Sequence, residues 1–113
     1  MKILAMGDIH CRLDTTDLLQ KLVGELEGAF DIVLLAGDLT DNGLIEEAEV
    51  LAGQVKAFSV PVVAILGNHD HEKGRAEQIT AIMRGAGAIM QDGTAYEVGE
   101  LGVVGTKGFC GGF

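Results

Sequence analysis

The chain has few basic residues. Of its 113 residues, 8 are lysine or arginine and 17 are aspartate or glutamate, which gives a formal net charge of −9 at pH 7. Because nucleic acids and anionic membranes attract proteins through lysine and arginine, this balance argues against both as partners. A small phosphate-containing molecule is not excluded, because a bound divalent cation reverses the local charge.

Long apolar runs and paired cysteine motifs are also lacking. The first apolar run ends at Gly7 and Asp8 and is too short for a signal peptide or a membrane span. The cysteines, Cys11 and Cys110, have neither metal-site nor redox-motif spacing. We therefore expect a cytoplasmic, reduced protein with no membrane segment, and the length of 113 residues predicts one domain over 1–113.

Three segments share one pattern, in which an apolar run ends at a glycine that is followed by Asp or Asn. They are KILAMGD ending at Asp8, DIVLLAGD ending at Asp38 and VVAILGN ending at Asn68, each thirty residues from the next. The residues between them share little identity, so the period is one of strand, loop and helix. The apolar runs are continuous, which is typical of parallel strands covered on both faces.

Apolar residues at helical spacing predict three helices between and after these strands. The stripes lie at about 15–28, 44–58 and 79–86. We expect Asp41 or Asn42 to be the N-cap of the second helix, because short polar side chains satisfy the first free N–H groups. The order is therefore βαβαβα, and the fold class is α/β.

After Gly87 the sequence changes to short segments separated by glycines. AIMQDG, TAYEVG and LGVVGTKG predict short strands, and the Asp92–Gly93 pair predicts a tight hairpin turn. We expect the sheet to become mixed or antiparallel in this part of the chain.

Polar side chains follow each of the three main strands. Asp8 and His10 follow the first, Asp38 follows the second, and Asn68 and His69 follow the third. The carboxyl ends of parallel strands lie at one edge of a sheet, so these side chains should converge. In an extended stretch Asp8 and His10 would point to one side and chelate one ion. Carboxylate, amide and imidazole ligands suit manganese, iron, zinc or magnesium.

Each of these residues also has an ordinary structural explanation. Asp8 or Asp38 could cap a following helix, Asn68 could be a turn residue, and His10 or His69 could be a surface histidine. These explanations weaken when all five must meet at one edge. The sequence contains no dinucleotide-binding, P-loop or serine-hydrolase motif. Cys11 lies beside His10, but a small buried side chain explains it better than a nucleophile does.

The motifs GDIH, GDLTDNG and GNHD, in this order, resemble the calcineurin-like metallophosphoesterase family over the whole chain. The resemblance implies an α/β/β/α sandwich with two divalent metal ions. It also implies a hydrolase of small phosphodiesters or phosphomonoesters, in which a hydroxide that bridges the metals attacks the phosphorus.

The resemblance implies roles for individual residues. It matches four positions with metal ligands: Asp8 and His10 on the first metal, Asp38 between the two metals, and Asn68 on the second. His69 matches the histidine that contacts the phosphate and protonates the leaving oxygen. Asp70 matches a residue that orients this histidine.

The resemblance also shows what this sequence lacks. The family supplies further histidine ligands from later strands, whereas this chain has no histidine after His71. We therefore expect 1–113 to be the N-terminal half of a longer metallophosphoesterase domain. The alternatives are a non-catalytic binding or scaffold module and a half-enzyme completed by another chain. We also expect the isolated chain to self-associate through strands that a missing half would cover.

Overall fold

The computed structural model describes residues 1–15, 17, 19, 21 and 30–106. Most of the first predicted helix, at 15–28, lies outside the described residues. The elements within them, in chain order, are β1 (Ile3–Gly7), β2 (Ile32–Ala36), α1 (Ile45–Val55), β3 (Val62–Ile65), a 3₁₀ helix (His69–His71), α2 (Ala76–Gly85), β4 (Ile89–Met90), β5 (Thr94–Val98) and β6 (Leu101–Gly105).

Strands β1 to β4 form one parallel sheet in their sequence order. The register pairs Gly7 with Ala36 and Ala36 with Ile65, so β1, β2 and β3 end at the same level. The predicted parallel α/β arrangement is therefore confirmed. Its consequence is that the loops after these three strands lie side by side at one edge of the sheet.

Helices α1 and α2 cover one face of this sheet. Leu51 of α1 and Ile79 and Met83 of α2 are fully buried, together with Val33 and Leu35 of β2. Burying one such side chain contributes about 1.5–3 kcal/mol, so this layer is the main stabilising core of the described residues. The predicted second and third helical stripes are confirmed.

The other face of the sheet is covered less than the sequence predicts. Exposed and half-buried residues alternate along β1, and Ile3 is 47% exposed. Among the described residues the cover on this face comes from the β5–β6 hairpin, which lies near β3, where Gly105 packs on Ile65. The expectation of strands buried on both faces is therefore wrong for β1.

The hairpin turn also differs from the prediction. The Asp92–Gly93 pair joins β4 to β5, but β4 pairs in parallel with β3. The antiparallel hairpin is formed by β5 and β6, which pair as a separate two-stranded sheet. Its turn is Gly99–Glu100, and Gly99 has a φ of 59°, which glycine adopts without a Cβ clash. The four-stranded sheet itself stays parallel.

Helix α1 begins two or three residues later than a cap at Asp41 or Asn42 requires. Its first helical residue is Ile45, and the carboxylate of Glu47 accepts hydrogen bonds from the backbone N–H groups of Asn42 and Leu44, at 2.8 and 3.2 Å. The predicted N-cap is therefore wrong, because Glu47 satisfies these donors. No helix among the described residues is long and apolar enough to span a membrane.

Candidate metal centre

The loops after β1, β2 and β3 form the candidate centre; we call them the first loop (8–11), the second loop (37–43) and the third loop (66–68). The backbone N–H of His10 donates to the carbonyl of Asp38 at 2.8 Å, and that of Cys11 donates to the carbonyl of Leu39 at 2.9 Å. A parallel bridge between Cys11 and Thr40 continues this pairing. The first and second loops are thus fixed against each other beyond the ends of their strands.

Left-handed backbone is concentrated in these loops. Asp8, His10 and Asp38 have φ values of 52°, 48° and 47°, and they are the residues other than glycine with positive φ in the described part of the chain. The conformation costs a residue with a Cβ roughly 1–2 kcal/mol. Strain of this kind is typical of functional sites, where the surrounding structure enforces it.

His10, Asp38 and His69 come together at this edge. One potential ligand atom from each lies within 4.8 Å of those of the other two. The Nε2 atom of His10 is 3.8 Å from the Oδ2 atom of Asp38, and the His10 and His69 rings meet edge to face with centroids 4.5 Å apart. All three side chains are partly exposed, so a metal ion can reach them from solvent.

The carboxylate of Asp38 is held by the third loop. Its Oδ1 atom accepts the backbone N–H of His69 at 2.9 Å, while Oδ2 faces His10. A Cβ at Gly67 would collide with the backbone nitrogen and the carboxylate of Asp38. Glycine at position 67 therefore permits the close approach that brings Asp38 and His69 together.

The ring of His69 is oriented by a backbone carbonyl. Its Nδ1 atom lies 2.6 Å from the carbonyl oxygen of Asp41. A carbonyl only accepts, so Nδ1 carries the proton and donates, and Nε2 remains free at the site. This hydrogen bond is the main cause that raises the pKa of His69 above its ordinary value.

Asp70 joins the second and third loops by hydrogen bonds and does not bind the ring of His69. Its carboxylate is fully buried and accepts hydrogen bonds from the backbone N–H groups of Leu39, Thr40 and Gly67, at 3.0, 2.7 and 2.8 Å. The hydroxyl of Thr40 donates a fourth, at 2.7 Å. The resemblance implies that Asp70 orients His69, but the group bound to the His69 ring here is the Asp41 carbonyl. Every residue type has a backbone carbonyl, so the sequence gives no sign of this hydrogen bond.

Asp8 lies at the same edge but outside the group of three, and Asn68 follows β3 at that edge as well. Asp8 is exposed, and left-handed backbone at both Asp8 and His10 replaces the extended geometry that would point their side chains to one side. Asn68 is exposed and precedes the 3₁₀ helix. Of the carboxylates and histidines expected at this edge, the structure clusters the side chains of His10, Asp38 and His69.

Cys11 is a buried thiol. Its side chain has no solvent exposure, and Sγ lies 3.7 and 3.8 Å from the carbonyl oxygens of Arg12 and Thr15. Burial is the main cause that raises the pKa of Cys11 to about 11. The thiol therefore stays protonated near neutral pH, which confirms the interpretation of Cys11 as a small buried side chain.

Comparison with known proteins agrees with this geometry. The model of the calcineurin-like phosphoesterase family matches residues 1–111. A probable glycerophosphodiester phosphodiesterase from Arcobacter nitrofigilis is 41% identical over 49 residues, which is 43% of this chain. A probable cyclic nucleotide phosphodiesterase from Fibrobacter succinogenes is 44% identical over 41 residues, which is 36% of this chain.

A third relative, an uncharacterized protein from Bacillus subtilis, is 32% identical over 90 residues, or 79% of this chain. The matched segments cover 18%, 16% and 33% of the three relatives, so this chain corresponds to only part of each. The family match, in contrast, covers nearly every residue and includes all three loops of the candidate centre. The chain therefore belongs to the calcineurin-like phosphoesterase family.

Proposed function

We propose that the protein containing this chain is a metal-dependent phosphoesterase that hydrolyses small phosphate esters. The observation that carries the proposal is the cluster of His10, Asp38 and His69 in the loops of a calcineurin-like phosphoesterase chain. Two relatives are named as phosphodiesterases, which favours diesters over monoesters as substrates. The acidic net charge of −9 agrees with a small substrate rather than a nucleic acid.

The clustered residues fit a divalent metal ion. An imidazole nitrogen and a carboxylate oxygen are donors that zinc, manganese, iron and magnesium accept to differing degrees, and thiolate donors are absent from the cluster. In the proposal His10 and Asp38 hold metal, with Asp8 and Asn68 at the same edge as further ligands of a two-metal centre. Bound divalent metals polarise phosphoryl oxygens and lower the pKa of water.

His69 has the geometry of a catalytic acid in this proposal. Its Nδ1–H is held by the Asp41 carbonyl, so the ring presents Nε2 to the site. The raised pKa of His69 extends the pH range in which Nε2 carries a proton. A protonated Nε2 can bind a phosphoryl oxygen and donate its proton to the leaving oxygen.

Asp70 supports this geometry as a positioning residue. It is buried and binds backbone groups of the second and third loops, which carry Asp38 and His69. We infer that its carboxylate sets the separation of these two side chains. Its effect on the reaction would then be indirect, through the two residues that meet metal and substrate.

A second candidate is a non-catalytic binding module or a half-enzyme completed by another chain. It is favoured by the position of Asp8 outside the cluster. This candidate predicts that the 113 residues alone bind metal weakly and give no turnover, because a partly filled set of ligands lowers the metal affinity.

The test is the hydrolysis of bis(p-nitrophenyl) phosphate with added Mn²⁺ by the protein that contains this chain. We expect Asp38→Ala to lower kcat/KM by roughly 100-fold or more, because it removes a carboxylate that the metal needs. Glu49→Gln, an exposed change on α1, is the matched control and should keep the wild-type rate. Equal rates for wild type and Asp38→Ala would rule out the proposal.

The same assay separates the two candidates. Activity that depends on Mn²⁺ and on Asp38 supports the phosphoesterase. If the protein binds Mn²⁺ but gives no hydrolysis of either a diester or a monoester, the binding module or half-enzyme is the better account.

A further inference from the structure

We propose that Gln54, a buried residue of α1, is a positioning residue for the first loop and thereby for His10. It acts through the segment that follows this loop, at 12–15, which it binds at the Thr15 carbonyl. The inference deepens the proposed function and rests on it, because the position of His10 matters through the metal that His10 would hold. Gln54 itself lies outside the candidate centre, so its effect is indirect.

The side chain of Gln54 is a buried amide. Gln54 is 2% exposed and lies on α1 among other buried residues, which include Leu51 and Val55. Burying an amide costs free energy unless hydrogen bonds replace those that it makes with water. An apolar side chain would fill such a place without this cost, so packing alone does not explain a glutamine here. The explanation must lie in the groups that the amide binds.

Both polar atoms of this amide bind backbone groups of the segment that follows the first loop. The Oε1 atom accepts the N–H of Leu19 at 2.7 Å, and Nε2 donates to the carbonyl of Thr15. These partners are 35 and 39 residues away in the sequence. Because the amide has both its donor and its acceptor engaged, it fixes this segment against α1.

Thr15 belongs to a closed turn that begins directly after the first loop. The N–H of Thr15 donates to the carbonyl of Arg12 at 3.0 Å, and the N–H of Arg12 donates to the Thr15 hydroxyl at 3.2 Å. Arg12 follows Cys11, which is the last residue of the first loop. Gln54 therefore holds a hydrogen-bonded turn that is joined to this loop without an intervening residue.

The first loop depends on such contacts because its backbone is strained. Asp8 and His10 have φ values of 52° and 48°, and strain of this kind persists only where the surrounding structure enforces it. The second loop supplies one set of contacts, which includes the hydrogen bond from the His10 N–H to the Asp38 carbonyl. Gln54 supplies another set through the turn at 12–15.

The second and third loops are held by other buried side chains. Asp70 binds backbone N–H groups of both loops, and Glu47 of α1 binds the N–H groups of Asn42 and Leu44. Glu47 and Gln54 are seven residues apart, which is about two helical turns, so they lie on one face of α1. A change at Gln54 should therefore loosen the first loop and leave the other two loops in place.

The direct test is amide hydrogen exchange, read residue by residue by NMR, of the metal-free protein that contains this chain. Gln54→Leu leaves two buried backbone groups without their partner, so we expect the N–H groups of His10 and Cys11 to exchange roughly 10-fold or more faster than in the wild type. The N–H of Gly67, which binds Asp70, should exchange at the wild-type rate.

Two further variants separate positioning from a general loss of stability. Ile79→Val removes one buried carbon from α2 and should lower the free energy of unfolding without changing the exchange of the His10 and Cys11 N–H groups. Thr15→Val removes the hydroxyl that closes the turn, so it should reproduce part of the increase even if Gln54→Leu fails to fold. Urea unfolding measures the stability of each variant.

A Zn²⁺ titration followed by the ring ¹⁵N signal of His10 gives a second readout. We expect Gln54→Leu to weaken Zn²⁺ binding by roughly 10-fold, because residues that orient a metal ligand contribute this much to affinity, and we expect Ile79→Val to bind as the wild type does. Equal affinity for wild type and Gln54→Leu would overturn the inference. Unchanged exchange of the His10 and Cys11 N–H groups in Gln54→Leu and Thr15→Val would overturn it too, as would an equal increase in Ile79→Val.

The exchange experiment distinguishes the inference from the function on which it rests. Exchange is measured without metal or substrate, so the expected rates would stand even if the protein hydrolysed no phosphate ester. In that case the proposed function fails, while Gln54 remains the residue that holds the first loop. The reverse result, Mn²⁺-dependent hydrolysis with unchanged exchange in Gln54→Leu, removes only the inference.

Discussion

Single residues in the first and second loops hold a backbone conformation that is costly for any residue with a Cβ. Asp8, His10 and Asp38 adopt left-handed backbone, at roughly 1–2 kcal/mol each. The hydrogen bond from His10 to the Asp38 carbonyl and the bond from His69 to the Asp38 carboxylate offset part of this cost. The folding energy of the rest of the chain thus holds these side chains in place before any metal binds.

Cys11 gives a prediction at the same scale. With Cys110→Ser as the background, we expect Cys11 to react with iodoacetamide at pH 8 roughly 100-fold or more slowly than a free cysteine. The pKa of Cys11 is raised to about 11, against about 8.5 for a free thiol, so little thiolate exists at pH 8. The rate should rise with pH up to about 11 and should become that of a free thiol in urea.

A rate equal to that of free cysteine in the folded protein at pH 8 would contradict this prediction. It would mean that the thiol is accessible and ionised, and the interpretation of Cys11 as an inert buried side chain would then be wrong. The urea sample shows in the same experiment that the reagent and the thiol are competent.

At the scale of elements, Asp70 joins the 3₁₀ helix to the second and third loops. We expect Asp70→Asn to lower the free energy of unfolding by about 2–3 kcal/mol, because one acceptor oxygen becomes an NH₂ group that faces buried donors. Glu72→Gln, an exposed change in the same segment, should stay within about 0.5 kcal/mol of wild type. Urea denaturation measures both.

Asp70→Asn with wild-type stability would contradict this account of the loops. It would show that the three backbone N–H groups find other acceptors, so that Asp70 does not set the distance between the second and third loops. Asp38 and His69 would then need a different explanation for their approach.

The elements themselves were largely predictable from the sequence. The thirty-residue period of apolar runs that end at glycine predicted three parallel strands, and the stripes at 44–58 and 79–86 predicted α1 and α2. The position of the hairpin was not predictable in this way. Asp92–Gly93 is a stronger turn signal than Gly99–Glu100. In the structure, however, β4 extends the buried parallel sheet, and the hairpin is formed by β5 and β6. Helix α1 was placed too early because Glu47 caps it from inside.

The candidate centre was predictable only in part. Strand ends in a parallel sheet converge, so the motif positions placed His10, Asp38 and His69 together. The sequence did not predict the left-handed turn of the first loop, which separates Asp8 from the cluster. The sequence also did not predict that Asp41 binds the ring of His69. Every residue type has a backbone carbonyl, and the carboxylate of Asp41 suggested a helix cap instead.

At the scale of the whole molecule, the chain has one well-covered sheet face and one that is partly open. Helices cover the first, while Met1 and Ile3 are exposed at 63% and 47% near the second. Apolar surface of this kind is stabilised when another layer covers it. Self-association of the isolated chain through this face stays a prediction, as does a second half of the domain supplied by a longer protein.

The three loops lie side by side because the whole sheet aligns them. The parallel register brings the ends of β1, β2 and β3 level, and the backbone bonds between the loops keep the side chains within reach of one another. The central claim is that this arrangement binds a divalent metal through His10 and Asp38.

The most direct measurement is a Zn²⁺ titration followed by the ring ¹⁵N signals of the three histidines. We predict that Zn²⁺ shifts the Nε2 signal of His10 and leaves His71 unchanged. Asp38→Ala should weaken this binding by roughly 10-fold or more, while Glu49→Gln should bind as the wild type does. A His10 signal that Zn²⁺ does not move, or equal binding by wild type and Asp38→Ala, would contradict the claim that these loops form a metal centre.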